Sequence, residues 1–275
     1  MHIDLKKYKV VTDKKVSMKI VHISDIHYAK NFNLKRLDML LKKIKMINPN
    51  YICITGDLID VYNITKDSDF IFFKDFIKSL SEICKVIISI GNHEYILEID
   101  DGYDFVIDIS WLYDLESDRI KVLDNSIYSD NNISFIGFNP CYDFYLNREV
   151  SISSSDNLKL YKLINKSSSN YNILLLHTPF FIFDDDNYKK IKDFNKIDLV
   201  LCGHTHGGMI PSFVPGTFGI IAPSKKFFPK NVRGRKKLNG TEIIISSGVT
   251  KLSRKSKITF LTDIFGANIN EIEIN

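Results

Sequence analysis

The amino-acid sequence predicts an α/β (α+β) protein: a four-layer α/β/β/α sandwich in which two mixed sheets pack face to face with helices outside. Three observations lead there. The first ninety residues alternate strand-length apolar runs with segments of helical periodicity, which implies parallel strands crossed by helices. The later part returns to short β-rich runs, enough for a second sheet. The polar residues with the richest chemistry fall where apolar runs end, as ligand sites do in open α/β sheets.

The elements follow in order. Lys19–Ser24 is a short β-rich run. Leu34, Leu37, Leu40, Leu41, Ile44 and Ile47 then recur at helical spacing, with Asn33 as N-cap and Asn48-Pro49 as the stop. Tyr51–Thr55 is the next strand. Phe70, Phe73, Phe76, Ile77 and Leu80 form a second helical face after Asp67-Ser68, and Val86–Ile90 is the third strand. Phe105–Leu115 reads as a helix. Lys121–Leu123, Ser126–Tyr128 and Ile133–Gly137 read as strands, the last two joined by a turn at Asp130-Asn131-Asn132. Ser151–Ser155 and Lys166–Asn170 bracket a helix, and Asp184-Asp185-Asp186 suits a solvated helix start. Asn172–Leu176, Asp198–Cys202, Glu242–Ser246 and Ile258–Leu261 complete the β-rich part. No linker or repeat divides the chain, so residues 1–275 are expected to form one domain.

Composition excludes several classes. The longest apolar runs are strand-length, short of the roughly 20 residues of a membrane span. The N-terminus has no apolar leader, so a cytoplasmic protein is expected. Net charge is +4, too small to argue for nucleic acid. Cys53, Cys84, Cys141 and Cys202 are scattered, which speaks against a disulfide framework or a thiolate zinc site.

Five segments end strand-like runs with metal-binding chemistry: Asp25-Ile26-His27, Gly56-Asp57, Gly91-Asn92-His93-Glu94, His177, and Gly203-His204-Thr205-His206-Gly207. They hold five of the seven histidines, which marks them off from chance. At a strand end, residues i and i+2 share a side, so Asp25 with His27, and His204 with His206, can meet around ions. The adjoining glycines free the backbone for tight turns. Carboxylate, imidazole and amide oxygen without thiolate suit two divalent or mixed-valence ions such as Mn, Fe or Zn. Two ions roughly 3.5–4 Å apart, sharing a carboxylate, could clamp a phosphate. His22, by contrast, alternates with apolar residues and reads as a packed or surface histidine.

The ordered set D-x-H, G-D, G-N-H-E, H and G-H-T-H resembles the calcineurin-like metallophosphoesterase superfamily. The resemblance runs from Asp25 to His206, and that family's fold would cover nearly the whole chain. It implies that Asp25, His27 and His206 hold one metal and that Asn92, His177 and His204 hold the other. Asp57 would bridge them beside a water or hydroxide, with no covalent enzyme intermediate. His93 would act on the phosphate or leaving-group oxygen as general acid or charged stabiliser, and Glu94 would orient its turn. The Gly203–Gly208 ending looks like a bacterial branch that includes phosphodiesterases and lipid-precursor pyrophosphatases. The expected activity is therefore hydrolysis of a P–O bond in a phosphorylated small-molecule or lipid-like substrate. A non-catalytic scaffold of the same fold and a nuclease are the alternatives; with so little net charge, nucleic acid is not the expected partner.

Residues 207–241 carry Lys225, Lys226, Lys230, Arg233, Arg235, Lys236 and Lys237 and no acid, interleaved with Met209, Phe213, Phe218, Phe227 and Phe228. This composition fits either a lid or peripheral membrane contact for an anionic partner, or a packed structural loop with snorkelling lysines.

Overall fold

The computed structural model describes residues 3–29, 32–60, 71–95, 98–100, 103–105, 109–141, 151–211, 214, 216–221, 227–250 and 267–275. Its strands are β1 (Ile3–Val10), β2 (Met18–Ile23), β3 (Tyr51–Thr55), β4 (Lys85–Ser89), β5 (Glu98–Asp100), β6 (Tyr103–Phe105), β7 (Ile120–Leu123), β8 (Ser126–Asp130), β9 (Ile133–Phe138), β10 (Tyr171–Leu176), β11 (Leu199–Cys202), β12 (Gly234–Leu238), β13 (Thr241–Ile245) and β14 (Ala267–Ile274). The helices are α1 (Leu34–Ile47), α2 (Ile71–Ile83), α3 (Asn92–Tyr95), α4 (Ser110–Tyr113), α5 (Ser154–Lys166) and α6 (Phe180–Phe183).

Two six-stranded sheets carry the fold, ordered β1-β14-β2-β3-β4-β7 and β12-β13-β11-β10-β9-β8. Each is mixed. β2, β3, β4 and β7 are parallel while β14 runs antiparallel to β2; β13, β11, β10 and β9 are parallel while β12 and β8 close the edges antiparallel. Three cores make four layers. One lies between α1, α2 and the outer face of the first sheet, around Leu40, Ile44, Phe73 and Leu80. A second fills the space between the sheets with Ile20, Cys53, Ile87, Phe135, Ile173, Leu201 and Ile272. The third joins the second sheet to α5 and α6 through Ile136, Leu160, Leu174 and Phe181.

The local signals act as expected in α1. Asn33 Oδ1 accepts from Lys35 N at 3.1 Å, and Asn48 closes the helix in a left-handed conformation, its N–H donating to Ile44 O. Leu37, Leu40, Ile44 and Ile47 face the core, whereas Leu34 points to solvent. In α2, Phe73, Phe76, Ile77 and Leu80 are buried; Phe70 and the expected cap at 67–68 lie outside the described residues.

Three expectations change. Among the described residues of the stretch expected as one helix at 105–115, the helix covers Ser110–Tyr113, without a side-chain cap, and Tyr103–Phe105 pairs instead with Glu98–Asp100. β1, β14 and the last part of the 207–241 segment, β12, are strands that the apolar pattern did not reveal. Asp184–Lys189 forms 3-10 turns after α6, with Asp186 exposed beside Lys189. The expected strand at 258–261 lies outside the described residues.

Candidate metal centre

The parallel strands of both sheets deliver their carboxyl ends to one pole, and the five segments converge there. The chains leaving β2 and β3 run side by side: Asp25 N donates to Gly56 O at 3.1 Å, His27 N to Asp57 O at 3.0 Å and Tyr28 N to Leu58 O at 2.9 Å. The third segment is tied to the second by Glu94, a fully buried carboxylate that accepts from Asp57 N (2.9 Å), Leu58 N (2.7 Å) and Gly91 N (2.8 Å). Glu94 thus holds its turn, as expected. Gly91 has no room for a side chain, since a Cβ would lie 2.4 Å from Asp57 N. Across the sheets, both oxygens of Asp25 accept from His204 N, at 2.9 and 3.1 Å. Gly203 lets this happen, because its Cβ would meet Asp25 Oδ2 at 2.6 Å.

The backbone reason for the pairing of Asp25 with His27 and of His204 with His206 differs from strand alternation. Asp25 (φ 52°), His27 (47°), Asp57 (51°), His204 (68°) and His206 (49°) are all left-handed. Non-glycine residues in this region cost of order 1–3 kcal/mol each and persist where the surroundings over-determine them. Five such residues at one pole concentrate backbone strain on the cluster.

Three groups of donor atoms each lie within 4.8 Å of one another: Asp25, His27 and His206; His27, Asp57 and His93; Asp57, His177 and His204. His27 links the first two groups and Asp57 the last two. Asp57 is held on both sides. Its Oδ1 accepts from His93 N at 2.9 Å, leaving Oδ2 3.2 Å from His177 Nε2 and 3.5 Å from His27 Nε2. Asn92 joins through Oδ1, 3.1 Å from His177 Nε2, and His204 Nδ1 lies 3.2 Å from the same nitrogen. His27 stacks on His206 at 5.0 Å and meets His93 edge-on at 4.6 Å. All eight residues expected from the sequence therefore gather at this pole.

The donor chemistry fits cations. His177 Nδ1 is 2.7 Å from Thr55 O, and His206 Nδ1 is 2.7 Å from Thr250 O. A carbonyl only accepts, so each Nδ1 carries hydrogen, and in its neutral form each ring turns an Nε2 lone pair toward the cluster. At His177 that lone pair faces the Asp57 carboxylate, the Asn92 amide oxygen and His204. Oxygen and nitrogen donors crowded this closely, in a buried place, require positive charge among them. Without an ion a proton supplies it: burial lowers the His177 pKa, but Asp57 overrides this and holds it up at about 9. Burial also favours charge-free Asp57, yet His177 and its neighbours depress it well below the usual carboxylate range. Burial keeps His27 and His204 neutral, the form that ligates.

Nothing in the sequence marks out the Thr55 and Thr250 carbonyls, because any residue carries one. The only clue is that Ser246–Thr250 leaves a sixth strand end, β13. There Gly248 (φ 80°) sits where a Cβ would be 2.8 Å from Asp25 Cβ, and Thr250 N donates to Asp25 O at 2.9 Å. His22 is buried, as one of its two readings held. Cys53 and Cys202 are buried thiols whose pKa is raised by that burial, consistent with packing rather than ligation.

In 207–241 much of the positive charge is used internally. The buried Arg233 guanidinium donates to the carbonyls of Pro211 (3.0 Å), Val214 (2.7 Å) and Gly216 (3.1 Å), so the loop folds around it. Arg235 grips Glu242 at 2.8 and 2.9 Å, joined by Lys237 at 3.4 Å. Lys230 is exposed, and Phe227 and Phe228 are 72% and 75% exposed, an apolar pair that the packed-loop reading does not explain. Lys225, Lys226 and Phe213 lie outside the described residues. Among the described residues, no helix is long and apolar enough to cross a membrane.

The family model for calcineurin-like phosphoesterases matches residues 18–208. Among curated relatives, an uncharacterized metallophosphoesterase of Campylobacter jejuni, Cj0846, is 28% identical over 207 residues, 74% of this chain and 48% of that protein. One from Aquifex aeolicus is 28% identical over 250 residues, 89% of this chain and 83% of that protein. The chain spans about half the length of the Campylobacter and Helicobacter relatives it matches. Among solved structures, the protein TT1561 of Thermus thermophilus shares the fold at a TM-score of 0.51 and 13% identity, covering 85% of this chain and 90% of that one. A dimetal phosphatase from Danio rerio does so at 0.50 and 14%, covering 86% and 90%.

Proposed function

Because the chain belongs to the calcineurin-like phosphoesterase family, we propose that it is a metal-dependent hydrolase that cuts a P–O bond of a phosphorylated substrate, a phosphodiester or a pyrophosphate, at a two-ion centre. The observation that carries this reading is Asp57 Oδ2, poised between His27 of one donor group and His177 of another. It is placed to be shared. Asp25, His27 and His206 would hold one ion; Asn92, His177 and His204 would hold the second. The donor set suits Mn, Fe or Zn. Such ions supply positive charge that binds a phosphoryl oxygen and activates water.

The remaining steps fall to the chain. Thr55 and Thr250 fix the imidazoles in the ligating tautomer. Glu94 and the Gly91 contact hold Asp57 in register with Asn92 and His93. His93 lies at the edge of the cluster, less buried than His27, so its ring can reach substrate; it would donate a proton to the leaving oxygen or stabilise charge there. Pairing of β1 with β14 joins the two ends of the sequence in one sheet and supports residues 1–275 acting as one domain.

The test is hydrolysis of bis(p-nitrophenyl) phosphate by metal-stripped protein reloaded with Mn, beside p-nitrophenyl phosphate as monoester. We expect metal-dependent turnover of the diester that Asp57→Ala abolishes together with binding of at least one ion. Turnover that persists in Asp57→Ala would sink the shared-carboxylate reading.

The exposed Phe227 and Phe228 favour a lipid-like substrate or peripheral membrane contact at the rim. The rim is anchored near His206: Ile220 N donates to Gly208 O at 2.8 Å. Co-sedimentation with anionic vesicles at low salt tests this. Wild-type protein should sediment and Phe227→Ser/Phe228→Ser protein should not; wild-type protein left in the supernatant refutes membrane contact.

A further inference from the structure

Beneath the cluster lies a layer of buried polar groups that no ligand role explains. On the inner face of the first sheet, the side chains change character toward the strand ends. Ile20, Cys53 and Ile272 are part of the apolar space between the sheets. Two residues further toward the pole, on the same face by strand alternation, stand His22, Thr55 and Asn270. All three are fully buried. Asn270 is the direct partner of His22 across β14 and β2. Asn268 follows on β14 and reaches the loop after β13.

These groups form one continuous chain. Ser247 N lies 2.9 Å from Asn268 Oδ1, and Asn268 Nδ2 lies 3.3 Å from Asn270 Oδ1. Asn270 Nδ2 is 3.2 Å from His22 Nδ1, and His22 Nε2 is 2.9 Å from Thr55 Oγ1. The direction of every bond follows from the first. A backbone N–H only donates, so Asn268 presents its oxygen to Ser247 and its amide hydrogens to Asn270. Asn270 must then turn its own amide nitrogen to His22. His22 Nδ1 therefore accepts, and Nε2–H donates to Thr55. A doubly protonated ring would set N–H against N–H. Aligned bonds of this kind polarise one another and hold a single arrangement.

The two ends of the chain are the two supports of the cluster. Thr55 carries the carbonyl that orients His177, and Ser247 leads into Gly248–Thr250, which packs on Asp25 and orients His206. We propose that His22, Asn270 and Asn268 are positioning residues: an uncharged strut that sets the spacing of the His177 and His206 supports and so governs ion affinity at both. The proposal rests on the two-ion reading above.

Two measurements test it on the full chain. In metal-free protein, ¹⁵N shifts of the His22 ring should report the neutral Nε2–H tautomer; an Nδ1–H tautomer overturns the strut. By calorimetric titration with Mn(II), His22→Leu should bind ten- to a hundredfold more weakly, the usual effect of losing an outer partner of a ligand. His22→Gln, whose amide nitrogen can still donate to Thr55, should recover most of the loss. Ile20→Ala, a cavity on the same strand and face, should lower stability but keep wild-type affinity. Wild-type affinity in folded His22→Leu, or equal weakening in Ile20→Ala, overturns the strut while leaving the phosphoesterase reading intact. A wild-type protein that binds no ion overturns both.

Discussion

The two poles of this sandwich use similar side chains to opposite ends. At the pole where the strands begin, two carboxylates at strand ends each have their own cation. Lys14 meets Asp198 at 2.6 Å, and Lys85 meets Asp130 at 2.6 Å, with Tyr51 also donating to Asp130 at 3.1 Å. A cleft of about 610 Å³ opens there, yet its single lining carboxylate, Asp130, is already matched. Among the left-handed residues there, Asn48 before β3, Asn131 and Asn132 in the β8–β9 turn and Asn239 in the β12–β13 turn are asparagines, a residue type that tolerates the conformation; Asp193 before β11 is the acidic one. At the pole where strands end, carboxylates face imidazole lone pairs, and aspartates and histidines carry the strained dihedrals. One pole is complete as it stands. The other is complete only with positive charge added.

That contrast can be broken at several points. The largest effect belongs to His93→Ala, which should retain ion content yet lose 10²–10⁴-fold in turnover if the ring works as general acid. Metal analysis beside steady-state kinetics checks this, and native turnover would remove His93 from the chemistry. Next comes removal of the ions. An ion at 1,000 times its Kd adds about 4 kcal/mol, so chelation should lower the melting temperature strongly, whereas Asp130→Asn protein should show the same chelator response as wild type. A third effect is acid sensitivity. Burial depresses the His22 pKa to about 3, while the unfolded chain titrates near 6.5. Its contribution is fully present above 6.5 and is lost as pH falls toward 3. Urea unfolding of metal-free His22→Gln between pH 6 and 4 should therefore show a slope shallower by up to about 1.4 kcal/mol per pH unit. The smallest effect is at the opposite pole. Asp130→Asn breaks a part-exposed ion pair and should cost about 1 kcal/mol or less, with turnover unchanged.

The same contrast explains what could be read in the sequence. β2, β3 and β4 are legible because they are mostly apolar runs, each followed by polar residues with a purpose. β14 is not. Asn268 and Asn270 face inward into the polar layer while Glu271 and Glu273 lie on its other side, so neither face of Ala267–Ile274 looks apolar enough. β1 and β12 are edge strands, and their lysines and arginines guard the edge rather than advertise a strand. The site was legible in its residue types and order, but its geometry was not. Nothing in Asp25, His27, Asp57, His204 or His206 signals a left-handed backbone, which tertiary contacts impose. The structural duties of Arg233 and Arg235 were equally hidden, since their partners are carbonyls and a glutamate just past the segment.

The position of β14 has a consequence for how the molecule is made. This strand, later in the sequence than every other described strand, is wedged between the first two. During synthesis β1 and β2 emerge early, but the slot between them stays open until residues 267–274 leave the ribosome. Long-range pairings of this kind form late, after the cost of closing the loop has been met. Asn268 and Asn270 arrive with that strand, beneath a cluster whose ligands were all translated before it. If Asn268 and Asn270 brace the supports as proposed, the order of synthesis delays the firm seating of the candidate ligands until the sheet is closed.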